Sequence, residues 1–227
     1  MSVPPVALVT APERGVWRLG KSSAPLKYNQ VEPETIAGSS AGRFSLFTYG
    51  MLYCASEPTG CYAEALAYFR VQPMIRQLLD DDGPSQHGRM KMGHLASSWR
   101  EEHILVRLKL SSDARFLDVD AEATREVLAK ELENEFSEWG VKGPLNDEHI
   151  HGRDRRIARQ IAAWTVAQRN DEGHQLAQGI AYRSGYGGRR CWAILSGTEL
   201  VEAERRPILA EAVELQEVAR EYGLTVW

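Results

Sequence analysis

Cysteine is scarce in this chain, three residues among 227, at positions 54, 61 and 191. An odd count at unrelated spacings argues against a disulfide framework or a zinc cluster and fits a reducing cytoplasm. Long apolar runs are missing too. The longest uncharged ones, Met51–Ala55 and Ala193–Leu195, fall far short of a bilayer span. Met1–Leu8 has no basic residue ahead of its small apolar stretch, which argues against a secretory signal. Nor is there an excess of positive charge: 27 Lys and Arg face 31 Asp and Glu, a net −4 with pI ≈ 5.9. Nothing in that balance calls for a polyanionic partner, and a nucleic-acid binder would need a local basic stripe to compensate. No repeat, low-complexity tract or Pro/Ser/Gly linker divides the chain. What is present is ordinary, 43% hydrophobic and 26% charged residues. That composition predicts one folded, cytoplasmic globule over residues 1–227.

Along the chain, Gly15–Leu19 is β-prone and is followed by a polar stretch to Gly42 with turn-formers at Pro25, Asn29, Pro33 and Gly38. Phe44–Ala55 predicts one or two strands with a bend at Gly50. Ser56-Glu-Pro58 reads as a helix start, a capping hydroxyl with proline where its missing N–H costs nothing. Tyr62, Ala65, Leu66 and Phe69 then form one apolar stripe. At 100° per residue Glu64 points about 200° away from Tyr62, off the core face. Asp80–Ser98, charged and without periodicity, predicts an exposed loop able to flex over a site. Ile104–Leu110 alternates as a half-buried strand, and Phe116–Val119 is another. Asp120 is placed to cap a helix carrying Leu128, Leu132 and Phe136, ended by Gly140. Arg153–Arg169 is helical, with Ile157, Ile161 and Trp164 on one side. Gly179–Tyr182 and Cys191–Leu195 predict two strands joined by the Gly-rich turn Ser184–Gly188, and Leu209–Tyr222 predicts a last helix. Strands and helices without regular βαβ alternation indicate an α+β fold. The motif-bearing core runs from about 15 to 196, with a C-terminal helical extension over 197–227.

Residues able to carry chemistry are individually ordinary. Arg18 sits in an apolar strand, and Arg43 lies between Gly42 and Phe44, where glycine lets an anion come close to a planar guanidinium fork. Tyr53 faces the opposite side of its strand from Leu52 and Cys54. Glu64 lies off its helix's core stripe, and Ser184 opens a glycine turn that is neither a phosphate-binding loop nor a dinucleotide fingerprint. His149 and His151, close to Asp147 and Glu148, lack third and fourth partners at metal-ligand spacing, so no metal is expected. No nucleophile elbow is present. The cluster Arg153, Arg155, Arg156 and Arg159 reads as a solvated helix face or a partner contact rather than a nucleic-acid groove.

Their order is distinctive. Gly42-Arg43-Phe44, then Leu52-Tyr53-Cys54-Ala55, then Ala63-Glu64-Ala65-Leu66, and finally Gly179–Ser184 ahead of Cys191–Leu195, together resemble the RES domain. The likeness extends from about Trp17 to Leu195. Ser45 stands where the family usually has Asn, and Leu19 where some members have Tyr. The resemblance implies an ADP-ribosyltransferase-like fold, a mixed β-sheet core with flanking helices. It also implies a toxin of a bacterial toxin–antitoxin pair that consumes NAD⁺ as its substrate. The nicotinamide–ribose bond is broken, and ADP-ribose passes to water, phosphate or a protein side chain. Breaking that bond builds positive charge on the ribose ring. Glu64 is the carboxylate that would stabilise this charge, with Arg43 and Tyr53 beside it in the catalytic set. Arg18 and Arg43 would hold the pyrophosphate, Tyr53 the nicotinamide ring, and Ser184 a ribose or phosphate oxygen. The implied partner is an Xre-like antitoxin plugging the cleft, in an even-numbered hetero-oligomer. Neither direct nucleic-acid binding nor membrane association is expected. Three alternatives stay open: an ADP-ribosyltransferase modifying a host target protein, such as a housekeeping enzyme of nucleotide synthesis; a non-catalytic partner-binding module; and, disfavoured by charge, a ribonuclease toxin.

Overall fold

The computed structural model describes residues 5–31, 41–47, 49–72, 75 and 90–227. An eight-stranded mixed sheet forms its centre. The strands are β1 (Leu8–Val9), β2 (Val16–Lys21), β3 (Met51–Ala55), β5 (His103–Leu110), β6 (Phe116–Asp118), β7 (Gly179–Arg183), β8 (Arg190–Leu195) and β9 (Leu200–Pro207), in the order β1-β6-β7-β8-β3-β2-β5-β9. Within this sheet, among the described residues, only β6 and β7 pair in parallel. A two-stranded parallel pair, β4 (His94–Leu95) with β10 (Thr225–Val226), lies apart. Among the described residues seven α-helices flank the sheet: α1 (Pro58–Leu66), α2 (Ser97–Glu102), α3 (Glu122–Glu131), α4 (Glu133–Glu138), α5 (Asp147–His151), α6 (Arg155–Ala167) and α7 (Val213–Tyr222). The fold is a single α+β domain.

The period-2 alternation of the strands builds two cores on opposite faces of the sheet. From β3 and β8, Met51, Ala55, Cys191, Ala193 and Leu195 join the larger core, which α1, α6 and α7 cover with Tyr62, Leu66, Ile157, Ile161, Leu215 and Val218. Leu52, Cys54, Trp192 and Ile194 point the other way, onto Val16, Val106 and Phe116. Each fully buried Ile or Leu is worth about 1.5–3 kcal/mol by transfer from water, so the α6 stripe alone explains why that helix docks. At Gly60 a Cβ would come within 2.7 Å of the Ala55 Cβ, so glycine lets α1 approach β3.

Several local expectations are revised. Among the described residues of the Phe44–Ala55 run, only Met51–Ala55 is a strand, because the Phe44 amide is taken by a side chain and Ser45 closes a turn onto the Gly42 carbonyl at 3.2 Å. Ser56 does not cap α1. Glu57 is the N-cap residue without a side-chain bond, and Ser56 Oγ accepts from Trp192 Nε1 at 3.0 Å. Asp120 likewise does not cap α3, whose N-cap residue is Ala121. The helix expected through Leu132 breaks there into α3 and α4. Of the expected loop 80–98, residues 80–89 lie outside the described residues. Met90–Ser98 is not exposed throughout: His94, Leu95 and Ala96 are buried, and β10 pairs with β4. The segment beyond Leu195 is not simply helical, since β9 forms the sheet edge beside β5.

Candidate active site

A cavity of about 680 Å³ opens beside β2 and β3 and takes in Arg18, Arg43, Tyr53 and Glu64. The sheet is loosely joined at this point: β2 and β3 share only the Trp17–Ala55 pair, whereas β3 and β8 pair from Met51–Leu195 to Ala55–Cys191. Arg18 spans the opening, its Nη1 donating to the Tyr53 carbonyl at 2.9 Å and its Nε to the Pro25 carbonyl at 3.4 Å. A guanidinium has five N–H donors, so these two bonds leave others for the cavity.

Arg43 is carried by a turn fixed from three sides. Asn29 Oδ1 accepts from the Gly42 amide at 2.8 Å and from Ser45 Oγ at 2.6 Å. The Tyr53 hydroxyl accepts from the Phe44 amide at 2.9 Å and lies 3.0 Å from Ser45 Oγ. Gly42 lies against the Tyr53 ring so closely that a Cβ there would meet it at 2.3 Å. The Arg43 Nη1 then donates to the carbonyls of Ile150 at 3.1 Å and Gly152 at 2.7 Å. Burial, with help from neighbouring Arg155, holds the Arg43 pKa below the usual arginine value, while Tyr182 and Glu64 oppose that shift. Burial is also the main reason that the Tyr53 phenol is pushed up to about 12. Tyr53 therefore stays protonated near neutrality and serves as a hydrogen-bonding strut as well as a ring beside the cavity.

Glu64 is exposed, as its position on the α1 wheel requires, yet it borders the cavity. Its Oε1 accepts from Ser184 Oγ at 2.6 Å, and that oxygen accepts from the Tyr186 amide at 2.9 Å. The turn bearing Ser184 is tied to α7 through Arg189, which bonds Glu221 at 2.6 Å and the Tyr186 carbonyl at 3.0 Å. The structure thus brings Arg18, Arg43, Tyr53 and Glu64 around one cavity, with Ser184 buried directly behind Glu64.

The family model for the RES domain matches residues 15–216. The chain belongs to the RES domain family. No curated protein matches it significantly. Among solved structures, the M. tuberculosis MbcT-MbcA toxin-antitoxin complex contains a chain similar at TM-score 0.52 and 13% identity, over 95% of this chain and 91% of that one. At such identity the likeness concerns the fold.

This RES domain also places residues in the cavity wall that sequence reasoning did not single out as site residues: Asn29, Tyr182 and Tyr186, with His151 and Arg155. Tyr182 is buried and tilted against Phe44, ring centroids 5.1 Å apart. Arg155, expected on a solvated or partner-facing surface, instead donates to the Ala41 carbonyl beside the Arg43 turn. Period-2 reasoning could have found Tyr182, which is in register with Cys191 across the β7–β8 ladder. His151 had no comparable signal toward the cavity, because its hydrogen-bond partner Asp120 lies 31 positions away.

Asp120, Asp147 and His151 bring one potential ligand atom each within 4.8 Å of one another. The Asp120 carboxylate is already engaged: Oδ1 with His151 Nε2 at 2.9 Å and Arg125 at 3.4 Å, and Oδ2 with the Arg183 amide at 2.6 Å and Arg190 at 3.6 Å. Asp147 bonds Arg125 at 2.6 Å. This is the partnering of an ion-pair network. Burial raises the Asp120 pKa, but hydrogen bonding and charge from His151, with the amide and guanidinium of Arg183, more than offset it and hold the carboxyl below its usual range.

Proposed function

We propose that this RES domain is a cytoplasmic NAD⁺-consuming toxin of a toxin–antitoxin pair, cleaving the nicotinamide–ribose bond and passing ADP-ribose to an acceptor. The observation carrying this reading is that Glu64, Arg18, Arg43 and Tyr53, contributed by α1, β2, a turn and β3, surround one cavity. Arg18 and Arg43 offer fixed positive charge to a pyrophosphate, and both are oriented by backbone carbonyls before any ligand arrives. Glu64, held by Ser184, sets a carboxylate where a ribose becoming cationic would be stabilised. Tyr53 supplies the ring against which nicotinamide would lie, with its hydroxyl occupied in holding the Arg43 turn. Nicotinamide leaves as a neutral pyridine, so the scheme needs neither a general acid nor a metal for departure. The similar fold of a chain in a toxin-antitoxin complex favours a proteinaceous inhibitor as partner, an Xre-like antitoxin covering the cleft in an even-numbered hetero-oligomer.

The test is expression of the chain with NAD⁺ followed in the cell and with the purified protein. Wild type should deplete NAD⁺ and release nicotinamide. Glu64→Gln should lower the rate about 10²–10³-fold, the usual cost of removing one transition-state electrostatic contact. Growth arrest with intact NAD⁺ and a labelled protein band would instead point to transfer of ADP-ribose onto a host protein.

A further inference from the structure

The acceptor in the proposed reaction carries a proton that must go somewhere as its oxygen attacks the ribose. The cavity offers few groups able to take it. The Tyr53 and Tyr182 phenols and the Cys54, Cys61 and Cys191 thiols are all displaced upward by burial and keep their protons near neutrality. Arg18, Arg43, Arg155 and Arg183 are cations with no lone pair to offer. Glu64 has one oxygen committed to Ser184 and is assigned to the ribose.

His151 remains. It lines the same cavity, its side chain is 16% exposed, and it ends α5 immediately before Gly152, whose carbonyl holds Arg43. Behind it stands Asp120, 7% exposed, with Oδ1 at 2.9 Å from Nε2. A carboxylate kept ionised by its neighbours can only accept from Nε2, so the ring carries a proton there and directs Nδ1 away from the pair. Charges of both signs surround the ring, three carboxylates and five guanidinium groups. Asp120 precedes α3, Asp147 lies on α5, and Glu64 lies on α1 near Arg43. Against them stand Arg125 on α3, Arg183 on β7, Arg190 on β8, Arg43 on its turn and Arg155 on α6.

We infer that His151, oriented by Asp120, is the catalytic base that deprotonates the oxygen acceptor of ADP-ribose. The inference rests on the NAD⁺-cleaving reading above. In the step, the C1′–N bond of the ribose breaks and its electron pair leaves with neutral nicotinamide. An acceptor O–H oxygen forms the C1′–O bond, and its proton passes to Nδ1 of His151. The resulting imidazolium is stabilised by the Asp120 carboxylate and loses its proton to solvent after product release.

The experiment measures nicotinamide release from NAD⁺ by purified wild type, His151→Ala and Asp120→Asn, with water, inorganic phosphate or host-lysate protein as acceptor. NAD⁺ binding is followed by calorimetry, and the rate is measured across pH 5–9. Wild type should lose rate on the acidic side. His151→Ala should be slower by about 10²-fold, bind NAD⁺ as tightly, lose that acidic limb and regain rate with added imidazole. Asp120→Asn should be slowed with binding retained. A His151→Ala protein as fast as wild type, or slowed without imidazole rescue, would overturn the inference while leaving the NAD⁺ reading intact. A wild type that releases no nicotinamide with any acceptor would overturn both.

Discussion

A single hydrogen at position 42 sets where an arginine points. Any Cβ there would overlap the Tyr53 ring at 2.3 Å, so the Arg43 turn can press against β3 only because residue 42 is glycine. Gly42→Ala must displace the ring or the turn, and overpacking of this kind costs about 1–3 kcal/mol. Its expected outcome is a lower Tm together with weaker NAD⁺ binding, read by differential scanning and titration calorimetry. Tyr53→Phe separates the two duties of that residue. It keeps the ring but leaves the Phe44 amide without its acceptor, which costs about 1–3 kcal/mol in a buried setting. Urea denaturation should register that loss. Nicotinamide release should fall less than for Glu64→Gln, because the ring surface persists.

Among the elements, β6, α3, α5, β7 and β8 converge on Asp118 and Asp120. Asp118 pairs with Arg190 at 2.9 Å, and Asp120 gathers His151, Arg125, Arg183 and Arg190. The Asp120 carboxyl lies below its usual range in the folded protein, whereas an unfolded aspartate titrates near about 3.9. In acid the unfolded chain therefore binds the proton more readily. The contribution of Asp120 to stability is complete above the unfolded value and is lost as pH falls through the folded one. The stability gap between wild type and Asp120→Asn should be large at pH 6 and shrink toward pH 3, measured as urea midpoints. A gap independent of pH would mean that the carboxylate's charge is not what joins these elements. Elsewhere the same logic of shared partners explains why Ser56 abandons helix capping for the Trp192 indole: a bond to a side chain on β8 ties α1's start to the sheet.

For the molecule as a whole, the residues after Leu195 are structural. β9 extends the sheet beside β5, and its exposed residues include Glu202, Arg205 and the terminal Pro207, which discourage pairing with a further strand. α7 buries Leu215, Val218, Ala219 and Tyr222, whose hydroxyl donates to the Ala63 carbonyl at 3.2 Å on the helix that bears Glu64. A chain shortened to residues 1–196 should lose its cooperative thermal transition, since it would expose that apolar face and leave β5 as a bare edge. A melt near that of the full chain would show that the extension is dispensable.

The amino-acid order by itself determined which residue types could serve the chemistry and the local elements that carry them. β2, α1, α6, the β7–β8 hairpin and α7 follow from apolar periodicity and turn residues, and Glu64's place off the core stripe follows from helical geometry. Such signals act over a few residues and survive in any context. Tertiary structure decided what local periodicity does not encode: that Gly42–Ser45 is a turn held by Asn29 and Tyr53, and that Asp120, instead of capping α3, meets His151. It also placed Arg155 in the cavity wall. Those outcomes depend on hydrogen bonds between groups 9 to 31 positions or more apart. A polar side chain takes whichever partner the folded chain sets beside it, and that choice is made only once the sheet has closed.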